Sequence, residues 1–261
     1  MPFTHKVCVV TGAASGIGRE IAWAFAAAGG EVVAVDRDLA LLEQLAGAAA
    51  GAALRIRGAV CDVADPAQIA RTCDEVIERF GRCDVLVNNA GILRRAALED
   101  LDDAQWDQVL DINLSGGFRF ARQLGRHMIA NRRGAIVHIA SIAATQAHGG
   151  CGAYSASKAA TVALSAQMAV EWGPHGVRSN CISPGLIETA LSAPFYAVPG
   201  VREQRERLVP LRAIGTPSHV ADAVLFLASD AAAYISGHNL VIDGGLSHAL
   251  IGQVPRPQAA A

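Results

Sequence analysis

Aromatic residues are scarce: Phe, Trp and Tyr together make up 5% of the 261 residues, against 52% hydrophobic residues overall. A core built on ring stacking is thereby excluded, and Ala, Val, Leu and Ile must fill it, as suits a parallel sheet covered by helices on both faces. There is no basic block: 22 Lys and Arg face 24 Asp and Glu, for a net charge of −2, which argues against nucleic acid as a main partner. No apolar stretch reaches the ~18 residues needed to span a bilayer. The N-terminus enters a strand-like run too early for a signal peptide, so a cytoplasmic protein without a membrane partner is expected. No CxxC pair occurs. Cys8, Cys61, Cys73, Cys83, Cys151 and Cys181 therefore read as reduced, mostly buried thiols, with no metal expected.

What is present is alternation. Short β-branched runs at Lys6–Thr11, Glu31–Asp36, Arg55–Val60, Asp84–Asn88, Ala135–Ala140, Val177–Ile182 and Asn239–Ile242 read as strands. Helical stretches cover Ser15 to about Ala28, stopped by Gly29-Gly30, and then Pro66–Phe80, Asp103–Asn113, Gly116–Asn131, Ala153–Trp172 and Pro217–Ala228. Strand and helix in turn, with right-handed crossovers, predict a single-domain α/β fold over residues 1–261: a doubly wound parallel sheet of Rossmann type. Residues 190–210, with Pro194, Pro199 and Pro210, read as an insertion over the carboxyl edge of the sheet. The tail at 252–261 reads as loosely ordered.

The first strand runs into Thr11-Gly12-Ala13-Ala14-Ser15-Gly16-Ile17-Gly18. Gly12 permits the sharp turn, Gly16 lets the backbone approach a pyrophosphate, and Gly18 lets the helix pack closely on the sheet, with amides of the first helical turn facing the phosphates. In this strand-turn-helix context the loop predicts a dinucleotide site. Asp36 ends the second strand, where its carboxylate suits the two adenosine ribose hydroxyls and repels a 2′-phosphate. The other reading of Asp36 is a cap for the next helix. Arg37 beside it could pair with a 2′-phosphate, yet Asp36 and the non-basic Ser15 favour NAD.

Tyr154-Ser-Ala-Ser-Lys158 sets a phenol and an ammonium one turn apart on one helix face, with Ser141 thirteen residues before Tyr154 at the end of a strand. Together with the glycine loop, Asn88-Asn89-Ala90-Gly91, Asn113 and Pro184-Gly185-Leu186-Ile187-Glu188-Thr189, this pattern closely resembles the short-chain dehydrogenase/reductase family from about residue 5 to 246. Taking a hydride from an alcohol carbon requires its hydroxyl proton to leave too. A free tyrosine, with pKa about 10, is too weakly ionised for that, and the Lys158 ammonium and an oxidised nicotinamide both favour its phenolate.

The resemblance implies that Lys158 also bonds the nicotinamide ribose, that Ser141 holds the substrate oxygen, and that Asn113 kinks its helix and supports a water relay to Lys158. A plain helix-terminating asparagine is the other reading of Asn113. The resemblance also assigns Asp62 and Val63 to the adenine, Asn89, Ala90 and Gly91 to the ribose side, and Pro184, Gly185, Ile187 and Thr189 to the carboxamide. Asp62 could equally cap the helix starting near Pro66. The sequence departs from the family at Pro210–Gly215, where relatives often carry arginine at the place of Ala213.

Substrate walls are expected from Ile142 to Gly149, from Leu191, Phe195, Tyr196 and Val198, and from residues after Gly91. They suggest a small, mostly apolar pocket for an alcohol, diol or polyol and its ketone. His148 could bind a substrate hydroxyl or be an ordinary loop histidine, and Arg94 and Arg95 could recruit an anion or form a solvated pair. The alternatives are an NADPH-dependent ketone or 3-ketoacyl-thioester reductase and a non-catalytic dinucleotide scaffold. The helix at 153–172 is apolar on several sides through Ala159, Val162, Leu164, Met168 and Val170, so a homo-oligomer is expected, and the resemblance favours a tetramer.

Overall fold

A computed structural model describes residues 1–190, 192–249, 252 and 254. Seven strands form one all-parallel sheet: β1 (Val7–Thr11), β2 (Glu31–Asp36), β3 (Ile56–Val60), β4 (Val85–Asn88), β5 (Gly134–Ile139), β6 (Val177–Pro184) and β7 (Asn239–Ile242). Their order across the sheet is β3-β2-β1-β4-β5-β6-β7, the doubly wound arrangement expected. The central strands β1, β4 and β5 are buried along their whole length, which is why they read as unbroken apolar runs.

Helices cover both faces. On one side α1 (Gly16–Ala27), α2 (Leu39–Gly51) and α9 (Pro217–Ala228) bury Ile21, Phe25, Leu42, Leu45, Val220 and Val224 against the sheet. On the other, α3 (Pro66–Phe80), α5 (Gly116–Ala130) and α6 (Ala153–Trp172) bury Ile69, Val76, Phe120, Leu124 and Met168. Local chemistry sets the helix ends. Asp65 accepts hydrogen bonds from the amides of Ala67 and Gln68, Pro66 occupies the first turn, and Gly81 closes α3 in the left-handed conformation at φ 70°.

Three elements differ from expectation. Helix α2 was absent from the sequence reading. The stretch expected as one helix from Asp103 to Asn113 ends as α4 at Leu110 and passes through a π-helical turn, Asp111–Ser115, into α5. The 190–210 stretch contains two short helices, α7 (Ala193–Tyr196) and α8 (Val201–Leu208). Apart from Gly252 and Val254, the tail lies outside the described residues. Among the described residues no helix is long and apolar enough to cross a membrane, and all six cysteines are buried and free.

Candidate active site

Strand order reverses between β1 and β4, so the loops leaving their carboxyl ends diverge and open a crevice. A cleft of about 590 Å³ lies there, and every strand from β1 to β6 contributes to its wall through the residues at its carboxyl end. Gly12, Ser15, Gly16, Ile17, Asp36, Arg37, Asp62, Val63, Asn89, Ala90, Gly91, Ser141, Tyr154, Lys158, Pro184, Gly185, Ile187 and Thr189 all border it. Of the residues expected from the sequence to bind the cofactor or to act in catalysis, Gly18 and Asn113 do not.

The dinucleotide half follows from the glycine loop. Gly12 and Gly16 adopt φ 64° and 54°, a region costly for other residues. A β-carbon on Gly12 would stand 2.8 Å from the Ala90 Cα, whereas one on Gly16 would meet nothing closer than Thr189 at 3.8 Å across the cleft. The Gly16 backbone is thus bare toward the open space. Ser15 makes no side-chain cap, so the first-turn amides of α1 remain available to an anion. This cradle fits the pyrophosphate of a dinucleotide. Gly18 sits behind it, where a β-carbon would overlap the Gly12 carbonyl and the Asn89 amide.

The acids sort themselves by backbone direction. Asp38, not Asp36, caps α2 by accepting from the Leu41 amide, and Asp65, not Asp62, caps α3. Asp36 instead accepts from the amides of Ala14 at 3.0 Å and Asp38 at 3.2 Å, which fixes its carboxylate at the cleft rim. Asp62 accepts from the Ala64 amide at 2.9 Å. Each carboxylate oxygen keeps a second lone pair for a ligand hydroxyl. Arg37 is exposed beside Asp36.

At the other end of the cleft, Ser141 lies just past the end of β5 and its Oγ accepts from the Ala143 amide at 3.1 Å. Lys158 is buried, its Nζ donates to the Ile139 carbonyl at 2.8 Å, and it lies 5.6 Å from the Tyr154 ring centre. Asn113, in the π-helical turn, spends its side chain on structure. Its Oδ1 accepts from the Ile92 amide at 2.7 Å, and its Nδ2 donates to the Ile92 carbonyl at 3.0 Å and to Ser157 Oγ at 3.0 Å. The side chain therefore braces the loop after β4 against α6.

Residues 12–247 match the family described as Enoyl-(Acyl carrier protein) reductase. Over 240 residues the chain is 45% identical to the D-threitol dehydrogenase of Mycolicibacterium smegmatis, covering 92% of each chain. The chain belongs to the short-chain dehydrogenase/reductase family. An NAD-dependent glycerol dehydrogenase of Listeria innocua is 39% identical over 244 residues, covering 93% of this chain and 94% of its own. A gluconate 5-dehydrogenase from Burkholderia cenocepacia J2315, solved with NADP and tartrate, superposes with a TM-score of 0.89 at 33% identity, over 94% of this chain and 96% of its own. As a short-chain dehydrogenase/reductase, the protein is an oxidoreductase acting on alcohols with a nicotinamide dinucleotide.

The protein alone does not depress the Tyr154 pKa, contrary to the expectation from Lys158. Burial pushes the phenol above its ordinary value and outweighs the opposing Ser141 hydrogen bond. Burial also lowers Lys158 to about 8, so its charge is only partly secured at neutral pH.

The expected substrate wall needs correction as well. Ile142 and His148 border the cleft, but Phe195, Tyr196 and Val198 do not. The Phe195 ring is engaged by the guanidiniums of Arg95 and Arg205, each 5.5 Å from its centre, and Arg202 stacks on Tyr196 at 5.0 Å while pairing with Glu188 at 2.6 Å. Arg95 is thus a stacking partner, and Arg94 bonds Gln108 at 3.3 Å. Leu191 lies outside the described residues.

Thr11, Ser157 and His138 hold bonds at the site that no sequence motif marks, and Asn89, expected at the ribose side, holds two more. The Thr11 hydroxyl accepts from the amides of Asn89 and Ala90, at 3.0 and 3.1 Å. Asn89 Nδ2 donates to the carbonyls of Thr11 and Gly12, each at 3.0 Å, so this residue stitches the glycine loop to β4. Ser157 Oγ donates to the Tyr154 carbonyl at 2.7 Å, linking Asn113 to the turn that bears Tyr154. His138 on β5 is buried 3.3 Å from Asn88 Nδ2, and burial followed by the Lys158 charge lowers its pKa to about 4.

His138 gives a pH prediction. Below its ordinary pKa of 6.5 the unfolded chain takes up a proton that the fold refuses, so stability present above pH 6.5 is lost as pH falls toward 4. The loss amounts to about 3 kcal/mol. Urea unfolding at pH 7 and pH 4.5 should show this slope in the native chain and a reduced one in His138→Gln; equal slopes would reject the assignment.

Proposed function

We propose that the protein oxidises a secondary hydroxyl of a small diol or polyol to the ketone with NAD, Tyr154 serving as the general base and, in reverse, as the general acid. The observation that carries this reading is the convergence of Ser141, Tyr154 and Lys158 on one cleft whose other end is the glycine loop with Asp36 at its rim. A bound oxidised nicotinamide supplies the hydride acceptor and a positive charge that favours the Tyr154 phenolate. Lys158, by donating to the ribose hydroxyls, gains acceptors that favour its ammonium form against the burial that now discourages it. Ser141 steadies the substrate oxygen as charge develops on it. Asn113 supports Lys158 indirectly by fixing the Ile92 loop.

Asp36 supports NAD, because a 2′-phosphate there would sit against a carboxylate already fixed by two amides. Exposed Arg37 favours the second reading, NADP. Initial rates with both cofactors across secondary alcohols, diols and polyols test the proposal. The expected outcome is a kcat/KM with NAD at least tenfold above that with NADP, on a vicinal diol or polyol. A preference for NADP, or for ketoacyl thioesters, would replace it.

The 190–210 segment is read as the substrate loop, held by its arginine-aromatic stack. A homo-oligomer, with a tetramer favoured, is supported by apolar side chains left on the outer helices: Trp106 on α4, Phe118 on α5 and Val170 on α6, the last 74% exposed. Sedimentation at micromolar concentration should show an assembly, and a monomer would reject it.

A further inference from the structure

We propose that His148 and Cys151 form a subsite for a second hydroxyl of the substrate, beside the carbon whose hydroxyl Tyr154 deprotonates. The inference deepens the polyol reading and rests on it.

The two residues lie on the short loop between Ser141 and Tyr154. His148 Nε2 stands 2.7 Å from Cys151 Sγ, and the Cys151 carbonyl accepts from the Tyr154 amide at 3.0 Å. The pair is therefore seated on the first turn of α6, and its position is tied to that of the base. Cys151 is only 3% exposed, whereas His148 is exposed, so the thiol backs a ring that faces the open cleft.

The pairing also decides what the ring offers. Burial raises the Cys151 thiol above its ordinary pKa, against a smaller opposing effect of Arg95, so the thiol keeps its proton at neutral pH. A thiol that donates to Nε2 makes that nitrogen the acceptor and leaves the proton on Nδ1. Nδ1 has no partner among the described residues and is a donor for an oxygen.

Little else at this end of the cleft can bind a hydroxyl. Ile92, Leu93, Ile142 and Leu186 are apolar. Ser192 Oγ donates to the Ile187 carbonyl at 2.9 Å and accepts from the Thr189 amide at 2.9 Å, so it is spent on the loop. Ser141 and Tyr154 serve the reacting oxygen. A second hydroxyl entering the cleft would lose its water, and His148 is the side chain placed to replace that bond.

The test compares butane-2,3-diol with butan-2-ol, which lacks the second hydroxyl, in the native enzyme and in His148→Ala, His148→Gln and Cys151→Ala. The native enzyme should prefer the diol in kcat/KM. His148→Ala should lower the diol-to-monoalcohol ratio at least tenfold, mainly through KM of the diol. His148→Gln, which keeps a donor, should recover part of the ratio, and Cys151→Ala should lower it less than His148→Ala does. An unchanged ratio in His148→Ala, or a native enzyme indifferent to the second hydroxyl, overturns the subsite and leaves alcohol oxidation standing. Failure of the native enzyme on every diol and polyol overturns the polyol reading and the subsite with it.

Discussion

Replacing Tyr154 by phenylalanine should lower kcat/KM by about three orders of magnitude, the scale of a lost general acid-base group, while cofactor affinity stays within about twofold of the native value. The ring borders the cleft and packs with Lys158 5.6 Å from its centre, so removing one oxygen leaves the cavity and the ammonium in place. What disappears is the oxygen proposed to take the hydroxyl proton. Burial holds the phenol above its ordinary pKa in the protein alone. With the phenol gone, the neighbouring Ser141 hydroxyl is a far weaker base. Steady-state rates and cofactor titration check both parts, and a Tyr154→Phe enzyme retaining a tenth or more of its turnover would remove this residue from the mechanism.

Substituting Gly18 with alanine should weaken dinucleotide binding about a hundredfold, equivalent to about 3 kcal/mol of overpacking strain. The new β-carbon would overlap two fixed groups, the Gly12 carbonyl and the Asn89 side-chain amide. Neither has freedom to retreat, because Asn89 is itself bonded to the carbonyls of Thr11 and Gly12. Relief must come from moving the start of α1, and that displaces the first-turn amides from the phosphate position. Titration calorimetry reads the loss directly; an affinity within threefold of native would show that Gly18 is merely small and not a spacer for the loop.

These two residues mark what a sequence reveals about such a site. Gly12, Gly16 and Gly18 are readable because the loop, its strand and its helix are contiguous, so spacing alone conveys geometry. The Tyr154–Lys158 pair is readable for the same reason: one helical turn sets their separation. The bonds of Thr11 and Asn89 are not readable, because they join segments 77 or more residues apart and no local pattern announces them. The carboxylates show a finer limit. Asp36 and Asp38, or Asp62 and Asp65, are near neighbours, and only the direction in which the backbone turns decides which one caps the helix.

Among the elements, α2 is not readable because its buried stripe is only Leu42, Leu45 and Ala49, while exposed Leu39 and Leu41 and the alanines and glycines around them erase the contrast that periodicity requires. The break at Asn113 is legible as a helix end or a kink, while the π-helical turn there and the bonds of its side chain to the Ile92 backbone are not, because they depend on a loop 21 residues away. Phe195 and Tyr196 are expected in the substrate wall from their place in the segment after Thr189. Their rings turn instead to Arg95, Arg202 and Arg205, a preference set by tertiary neighbours.

The central claim is a direct hydride transfer from a secondary carbinol carbon to NAD, dependent on Tyr154. Its most direct test uses a diol carrying deuterium at both carbinol carbons, incubated with the native enzyme and NAD, with the recovered reduced cofactor analysed by mass spectrometry. One deuterium per reduced nicotinamide, with the ketone as co-product, is the predicted result. Reduced cofactor without the label, or no reduced cofactor from any diol or polyol, would contradict it.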